Sequence, residues 1–282
     1  MSEFSDHTKW QASHYDENPP LNPWEKLLRE VGFSKTVRPK DLATRQYLDK
    51  LALNEHTSIL DMGCASGLLL QRIRISYKSR GTGIDVSAVL INKAQQEDPK
   101  NTYLMADASH LPFPENTFDL ITSFDNLEHI KEYREVIKEM VRVLKPGGKI
   151  LLNTINKHNK FTFDWALEKL GSDYHLKRAG HVKELFFDPK EIENLFIEAG
   201  LKNTEIHLFD ATIVLIVDCA LYIFLMIVEK VTPPAHYHSV GLIALSTTHF
   251  ISLITLPICE KIDTIITRYG YSNAFFLTGE KV

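Results

Sequence analysis

The sequence predicts an α/β fold with a mostly parallel sheet and helices on both faces. Two observations lead to this prediction. Between residues 59 and 154, short apolar runs alternate with segments whose apolar residues recur at helical intervals, and the first run ends in a glycine-rich turn. Such alternation is typical of a parallel sheet, and open sheets of this kind bind ligands at the carboxyl ends of their strands.

The first predicted strand is the apolar run that begins at Ile59 and breaks into a turn at Gly63. A run bounded by glycines is typical of a buried parallel strand, and glycine lets the backbone approach a ligand closely. We expect Gly63 and Gly67 to shape the turn and residues 68–76 to begin the next helix.

Acidic residues also end the next two predicted strands. Asp85 closes the run 81–85, close to the distance at which a dinucleotide fold places its ribose-binding acid, so we expect it to bind a ribose diol. Asp107 follows the strand near 102–106, where it can accept a hydrogen bond from an exocyclic amine such as that of adenine.

Five motifs, in this order and spacing, resemble those of the class I S-adenosylmethionine-dependent methyltransferases, specifically the small-molecule branch that includes the quinone-biosynthesis enzymes. They are LDMGCASG (60–67), GIDVS (83–87), DASHLPFPENTFDLI (107–121), NLEHI (126–130) and LKPGGKILL (144–152). The resemblance implies a Rossmann-like sheet of seven mostly parallel strands and S-adenosyl-L-methionine as the cofactor.

In that family the glycine turn holds the methionine part of the cofactor, the acid after the second strand binds both ribose hydroxyls, and the acid after the third contacts adenine. The sequence departs from the family pattern where alanine replaces the usual glycine, a change that is often tolerated. The resemblance therefore assigns cofactor binding to Asp61, Gly63, Cys64, Ala65, Gly67, Asp85, Val86, Asp107, Ala108 and Phe124.

The remaining elements of the core follow in order. Helical patterns at 87–97 and 131–144 flank a fourth strand near 118–123, and the Lys145–Gly148 segment is a helix stop and turn before a fifth strand near 148–154. Asp188 predicts the start of a helix over 189–199 that ends at Gly200. A strand over 202–209 and a last strand over 273–278 complete the sheet.

Two histidines are candidate bases. His129 follows the fourth strand, at the sheet edge that faces cofactor and acceptor; it either takes a proton from the acceptor, caps the next helix or supports the adenine pocket. His181 lies where the family often has a histidine near the acceptor, and the same alternatives apply to it.

Residues 1–55 are expected to form an N-terminal arm and helical cap, ahead of the core at 56–210. The arm over residues 1–22 is polar with scattered aromatic residues. It is either a surface arm or, as the Tyr15-Asp16 pair of the resembling family implies, a lid that folds over the cofactor.

Residues 211–268 are predicted to be a hydrophobic helical insertion before the last part of the core at 269–282. The runs 211–228 and 240–258 are at the lower length limit for a bilayer span. They either span the membrane, lie on it as an anchor or cover the site as a lipid-binding lid, or form a buried layer or dimer interface. Asp218 and the polar residues of the second run favour an anchor or lid.

Composition excludes several classes of function. The net charge of −4, with mixed signs, is not typical of a nucleic-acid-binding protein. The cysteines Cys64, Cys219 and Cys259 have neither disulfide nor metal-ligand spacing, and the polar start of the chain is no signal peptide. We expect a cytoplasmic protein. Residues 211–258 either attach it to the membrane as a peripheral or monotopic protein or form the interface of a homodimer.

The predicted function is transfer of a methyl group to a small hydrophobic or lipid-like acceptor. The apolar runs near the end of the chain motivate this choice of acceptor. A protein methyltransferase and a non-catalytic cofactor-binding or scaffold protein are the alternatives.

Overall fold

The computed structural model describes residues 5–17, 39–160, 183–209 and 264–282, together with the isolated positions 165, 168–169, 171 and 261. Helices in these ranges are α1 (Asp6–Glu17), α2 (Pro39–Leu48), α3 (Leu68–Tyr77), α4 (Ala88–Glu97), α5 (Tyr133–Val143) and α6 (Pro189–Glu198). The strands are β1 (Ile59–Met62), β2 (Gly81–Asp85), β3 (Thr102–Met105), β4 (Phe118–Phe124), β5 (Leu144–Ile155), β6 (Leu201–Phe209) and β7 (Ala274–Lys281).

The seven strands form one sheet in the order β3-β2-β1-β4-β5-β7-β6. Strand β7 runs antiparallel to β5 and β6, and the other neighbouring pairs are parallel. The strand order reverses between β1 and β4, since the chain proceeds from β1 towards one edge of the sheet and then from β4 towards the other. Open sheets of this kind bind ligands at such a switch point. The prediction of a Rossmann-like, mostly parallel sheet is confirmed.

Neighbouring residues of the central strands pack into different clusters, one on each face of the sheet. Leu60 and Leu152 belong to the cluster that includes residues of α5 and α6. Ile59 and Leu151 belong to the cluster that includes residues of α2, α3 and α4. Because successive side chains of a strand point to opposite faces, the continuous apolar runs bury both faces and account for a sheet sandwiched between helices.

The segment from Lys145 to Gly148 differs from the prediction of a helix stop followed by a turn. Helix α5 does stop at Val143, but β5 begins at once and includes this segment. Phe118 of β4 pairs with Leu144 of β5, and the next pair is Leu120 with Lys149, so β5 has more residues than β4 over this stretch. The extra residues are accommodated as an irregularity in the strand, which a turn-forming composition cannot distinguish from a separate turn.

Other predictions of the sequence fall partly outside the described residues. Helix α1 lies within the predicted arm and α2 within the predicted cap, whereas the first predicted cap helix, which begins at Trp24, lies outside the described ranges. The predicted insertion is described only near its end, so its two apolar runs lie outside as well. The proposed domain boundaries stay predictions.

The glycine turn after β1 requires residues without a side chain. Gly63 has a φ of +72°, and a Cβ atom there would lie 2.4 Å from the Cγ of Asn126. Gly67 has a φ of +78°, and its Cβ would lie 2.5 Å from the hydroxyl of Tyr103. Both glycines therefore combine a left-handed backbone with a close approach of the next layer.

We predict that Gly63→Ala weakens binding of S-adenosyl-L-homocysteine and lowers the melting temperature, because the added methyl displaces Asn126. Overpacking costs about 1–3 kcal/mol in addition to the strain of the left-handed backbone. Gly147→Ala is the matched control, since Gly147 has a φ of +74° but no atom within 4 Å of its Cβ position. Calorimetric titration and thermal unfolding measure both; equal effects of the two substitutions would contradict the role of the Asn126 contact.

Candidate functional site

Backbone hydrogen bonds hold the glycine turn against the end of β2. The N–H groups of Gly63 and Cys64 both donate to the carbonyl of Ile84, each over 2.9 Å. Ala65, at a φ of +46°, directs its N–H to the carboxylate of Asp85 at 2.9 Å. The two regions that the sequence predicts to bind the cofactor therefore lie side by side.

Asp85 is oriented entirely by backbone donors of the described structure. Besides the N–H of Ala65, its carboxylate accepts the N–H of Ser87 at 2.9 Å. Burial raises the pKa of Asp85, and the bonds from these backbone groups oppose that rise. A carboxylate has about four acceptor sites, so capacity remains for a further donor such as a hydroxyl of a diol.

Asp107 lies just beyond the end of β3 and connects it to the N-terminal helix. One carboxylate oxygen accepts the N–H and the hydroxyl of Ser109, at 2.8 and 2.7 Å. The other accepts the hydroxyl of Thr8 in α1 at 3.2 Å. The neighbouring Ala108 is buried. This acid is therefore in contact with the helix that covers this edge of the sheet.

Asp61 is the buried acid of β1. Its carboxylate accepts the hydroxyl of Thr122 on the neighbouring strand at 2.7 Å. Burial raises the pKa of Asp61 to about 7, Thr122 opposes this rise, and the charge of Asp85 adds to it. Burial likewise raises the pKa of the neighbouring Cys64 thiol, which keeps this cysteine protonated.

Helix α1 lies against three parts of this edge. Thr8 bonds Asp107, and Asp16 accepts the hydroxyl of Ser87 and, at 3.2 Å, the N–H of Val89 at the start of α4. The carbonyl of His129 accepts hydrogen bonds from the side chains of His7 and Gln11, at 2.8 and 2.5 Å. These contacts place α1 across the carboxyl ends of the strands.

Tyr15 of α1 contacts the loop after β4. Its ring meets the ring of His129 edge to face, with centroids 5.8 Å apart. Burial raises the pKa of the Tyr15 phenol, and the carboxyl groups of Glu128, Asp85 and Asp125 add to that rise. The phenol therefore lies near three acids that come from two different loops.

The loop after β4 carries a buried acid that the sequence analysis did not single out. Glu128 is 0% exposed, and one of its carboxylate oxygens accepts the hydroxyl of Thr154 at 2.7 Å. Its other oxygen is buried and has no hydrogen-bond partner within the described part of the chain. Burial raises the pKa of Glu128 to about 8, and Asp125 adds to this rise. An acid next to the candidate base His129 was the available signal.

The structure brings nine of the ten predicted cofactor residues to the carboxyl ends of β1, β2 and β3 and the turns that follow them; these are Asp61, Gly63, Cys64, Ala65, Gly67, Asp85, Val86, Asp107 and Ala108. Phe124 is the last residue of β4, and its ring lies 5.6 Å from that of Phe276. His129 lies at the same edge, and His181 lies outside the described residues.

The fold and the site together define a nucleotide-binding α/β protein with its ligand site at the switch between β1 and β4. Residues 37–206 match a family model described as a methyltransferase domain, and the chain belongs to that family. It is an S-adenosylmethionine-dependent methyltransferase.

Two sequence relatives are O-methyltransferases. The ubiquinone biosynthesis O-methyltransferase of Coxiella burnetii is 29% identical over 168 residues, which are 57% of this chain and 70% of that protein. The malonyl-[acyl-carrier protein] O-methyltransferase of Buchnera aphidicola is 32% identical over 127 residues, 45% of this chain and 51% of that protein.

Among solved structures, the geranyl diphosphate C-methyltransferase of Streptomyces coelicolor, in complex with S-adenosyl-L-homocysteine, superposes with a TM-score of 0.59. It is 12% identical, and the match covers 99% of both chains. At this identity the likeness shows the fold. Within the described residues, the helices are too short or too polar to cross a membrane.

The described residues fit S-adenosylmethionine. Asp85 presents a carboxylate, oriented by backbone N–H groups, to donors at the carboxyl end of β2, and the buried acid Asp61 lies at the end of the neighbouring strand. The cofactor carries a ribose diol, an adenine amine and an ammonium group, which are all donors. A site with this set of acidic acceptors is therefore complementary to it.

We predict that Asp85→Asn lowers the affinity for S-adenosyl-L-homocysteine about tenfold or more, since hydrogen bonds to a charged group contribute about 1.5–3 kcal/mol. Asp119→Asn is the control, because Asp119 pairs with Lys145 near the amino end of β4. Calorimetric titration measures both variants, and thermal unfolding tests that each is folded. An unchanged affinity in Asp85→Asn would remove this residue from the site.

The buried acids also predict how stability depends on pH. With pKa values of about 7 for Asp61 and about 8 for Glu128 in the folded state, against about 4 in the unfolded chain, the folded state binds more protons between pH 4 and these values. The free energy of unfolding should therefore fall as pH rises through this window, by up to about 1.4 kcal/mol per pH unit for each acid.

Urea unfolding at pH 5, 6, 7 and 8 measures this dependence. Asp61→Asn and Glu128→Gln should each remove their own share of the slope. The prediction is wrong if both variants keep the slope of the wild type.

Proposed function

We propose that this methyltransferase transfers its methyl group to an oxygen of a small hydrophobic or lipid-like acceptor at a membrane surface. The observation that carries the cofactor half of the proposal is the Asp85 carboxylate, oriented by two backbone N–H groups beside the glycine turn. The relatives with O-methyltransferase names support oxygen as the methylated atom.

We assign the parts of the cofactor to the turns as follows. Asp85 binds the two ribose hydroxyls, and Asp107 with Ala108 contacts adenine. Val86 and Phe124 flank these turns. The turn after β1 holds the methionine part through Asp61, Gly63, Cys64, Ala65 and Gly67.

Methyl transfer from a sulfonium is an in-line displacement, and the bound cofactor supplies the activated methyl group. The chain then has three tasks: to hold the acceptor in line, to exclude water, and to remove a proton where the acceptor is a hydroxyl. Helix α1 serves the second task in this proposal, because Thr8 and Tyr15 lie across the edge at which the cofactor binds. His129 and His181 are candidates for the third.

The apolar runs 211–228 and 240–258 support a hydrophobic acceptor. A chain segment that is apolar but interrupted by polar residues suits the membrane interface or a lid over a lipid-like substrate. The ubiquinone named for the Coxiella relative is a lipid quinone, which agrees with this class of acceptor.

A second candidate is an acceptor carried on a protein. The Buchnera relative acts, by its name, on a malonyl group attached to acyl-carrier protein. That likeness covers 51% of the relative, whereas the likeness to the ubiquinone enzyme covers 70%. The lipid-like acceptor therefore has the broader support.

The experiment is to incubate the purified chain with methyl-labelled S-adenosylmethionine and a total extract of its host, membranes included. The products are then separated into organic, aqueous and protein fractions. We expect label in the organic fraction. Label in the protein fraction would favour the carrier-bound acceptor, and binding of the cofactor without any labelled product would overturn the proposal.

The apolar runs offer a direct test of membrane contact. We predict that Leu221→Glu combined with Leu225→Glu lowers both flotation with anionic phospholipid vesicles and labelling of the organic fraction, since each leucine side chain that leaves water for a membrane contributes about 1.5–3 kcal/mol. Leu221→Met with Leu225→Met is the control. Titration with S-adenosyl-L-homocysteine should give the same affinity in all three proteins, and unchanged flotation of the glutamate variant would argue against membrane contact here.

A further inference from the structure

Glu128 has a burial and bonding pattern that the fold alone does not require. It lies in the short 3-10 helix Leu127–His129 and is fully buried. The Thr154 hydroxyl satisfies one carboxylate oxygen, and the other has no hydrogen-bond partner among the residues that the structure describes. A buried polar atom without a partner destabilises a fold, and native proteins keep few of them. A requirement for a ligand donor accounts for such a cost.

The position of Glu128 places it in the same site as the cofactor-binding acids. The side chain of Asn126, two residues earlier, fills the space next to Gly63 in the glycine turn. The charges of both Glu128 and Asp85 raise the pKa of the Tyr15 phenol. Through Thr154, Glu128 is also joined to the carboxyl end of β5, on the acceptor half of the sheet. The acid therefore lies between the two halves of the site.

The adjacent His129 is engaged by α1. Its carbonyl accepts hydrogen bonds from His7 and Gln11, and its ring packs edge to face against Tyr15. These contacts are those of a residue that anchors the N-terminal helix over the site. The adjacent Glu128, in contrast, has a carboxylate oxygen, Oε1, that is buried and accepts no hydrogen bond from the described residues.

We propose that Glu128 is the catalytic base that accepts the proton of the acceptor hydroxyl during methyl transfer. The inference deepens the proposed function and depends on it. The acceptor oxygen forms a bond to the methyl carbon, the carbon–sulfur bond breaks with its electron pair going to sulfur, and the hydroxyl proton passes to the unpaired carboxylate oxygen of Glu128. Thr154 is a positioning residue that holds the other oxygen.

The charges around Glu128 suit this role. Asp125 from the same loop raises its pKa, and Lys40 of α2, which forms an ion pair with Asp125, lowers it. Tyr15 faces it from α1, with a phenol whose raised pKa keeps it neutral. The pKa of about 8 lies close to neutral pH, which is the range in which a general base is most effective.

The test compares two acceptors that differ in acidity. One is a catechol with a short isoprenoid chain; the other carries an added ring nitro group, so that its phenol is largely ionised at the assay pH. Glu128→Gln should reduce turnover of the first about 100-fold or more, the usual range for a general base, and turnover of the second by less than about threefold. Glu132→Gln is the matched control, because Glu132 in the same loop region also has a carboxylate oxygen that is buried without a partner among the described residues but belongs to a partly exposed side chain outside the site; it should leave both rates unchanged.

The outcomes separate the two proposals. A wild-type chain that methylates neither catechol overturns the proposed function for hydroxyl acceptors and the inference with it. A wild-type chain that is active while Glu128→Gln loses equal activity on both catechols, or on neither, overturns the inference alone. His129→Gln keeps the main-chain carbonyl that accepts the hydrogen bonds from α1 and removes the ring contact with Tyr15, so it should affect both acceptors alike; a loss confined to the first catechol would assign the base to His129 and overturn the inference.

A readout without turnover checks the same assignment. In infrared spectra of the chain, the difference between wild type and Glu128→Gln should contain a carboxylic acid C=O band at pH 6 that disappears as pH rises past 8. A band that persists unchanged above pH 9 would show that Glu128 stays protonated and cannot accept a proton, and would overturn the inference.

Discussion

The arrangement of the site depends on one contact, the attachment of the glycine turn to the end of β2. Two N–H groups of the turn share the carbonyl of Ile84, and a third orients the carboxylate of Asp85. This attachment requires positive φ at Gly63, and the absence of a side chain there lets Asn126 pack against the turn. The ends of β1, β2 and β4 are therefore held together by backbone geometry, and the acids that follow these strands converge.

The same convergence has a cost in stability. Asp61 and Glu128 are removed from water, and burial raises the pKa of each. A hydrophobic residue in either place would avoid that cost, so the acids are best explained by ligands that carry donors and positive charge. The pH dependence of unfolding therefore reports on one acid assigned to cofactor binding, Asp61, and on the proposed base, Glu128.

The two halves of the sheet contribute differently. The half made of β1, β2 and β3 presents turns and acids whose geometry is complementary to S-adenosylmethionine, and it lies within the part of the chain that matches the methyltransferase family. On the other half, the antiparallel β7 is inserted between β5 and β6.

The sequence by itself determined the features that depend on neighbouring residues. Apolar runs, helical periodicity, strand-end acids and glycines predicted most strands, the helices over 88–97 and 189–198 and the edge at which Asp85 and Asp107 lie. The local sequence pattern predicted a turn at Lys145–Gly148 where the structure has an irregularity within β5, because turn-forming residues also suit a bulge.

Only the tertiary structure decided how α1 and Glu128 enter the site. The bond from Thr8 to Asp107 spans 99 residues, and those from α1 to the carbonyl of His129 span more than 100. The unpaired oxygen of Glu128 likewise depends on which strand supplies Thr154. Local periodicity carries no information on such pairs, because they are set by how distant elements pack around the sheet.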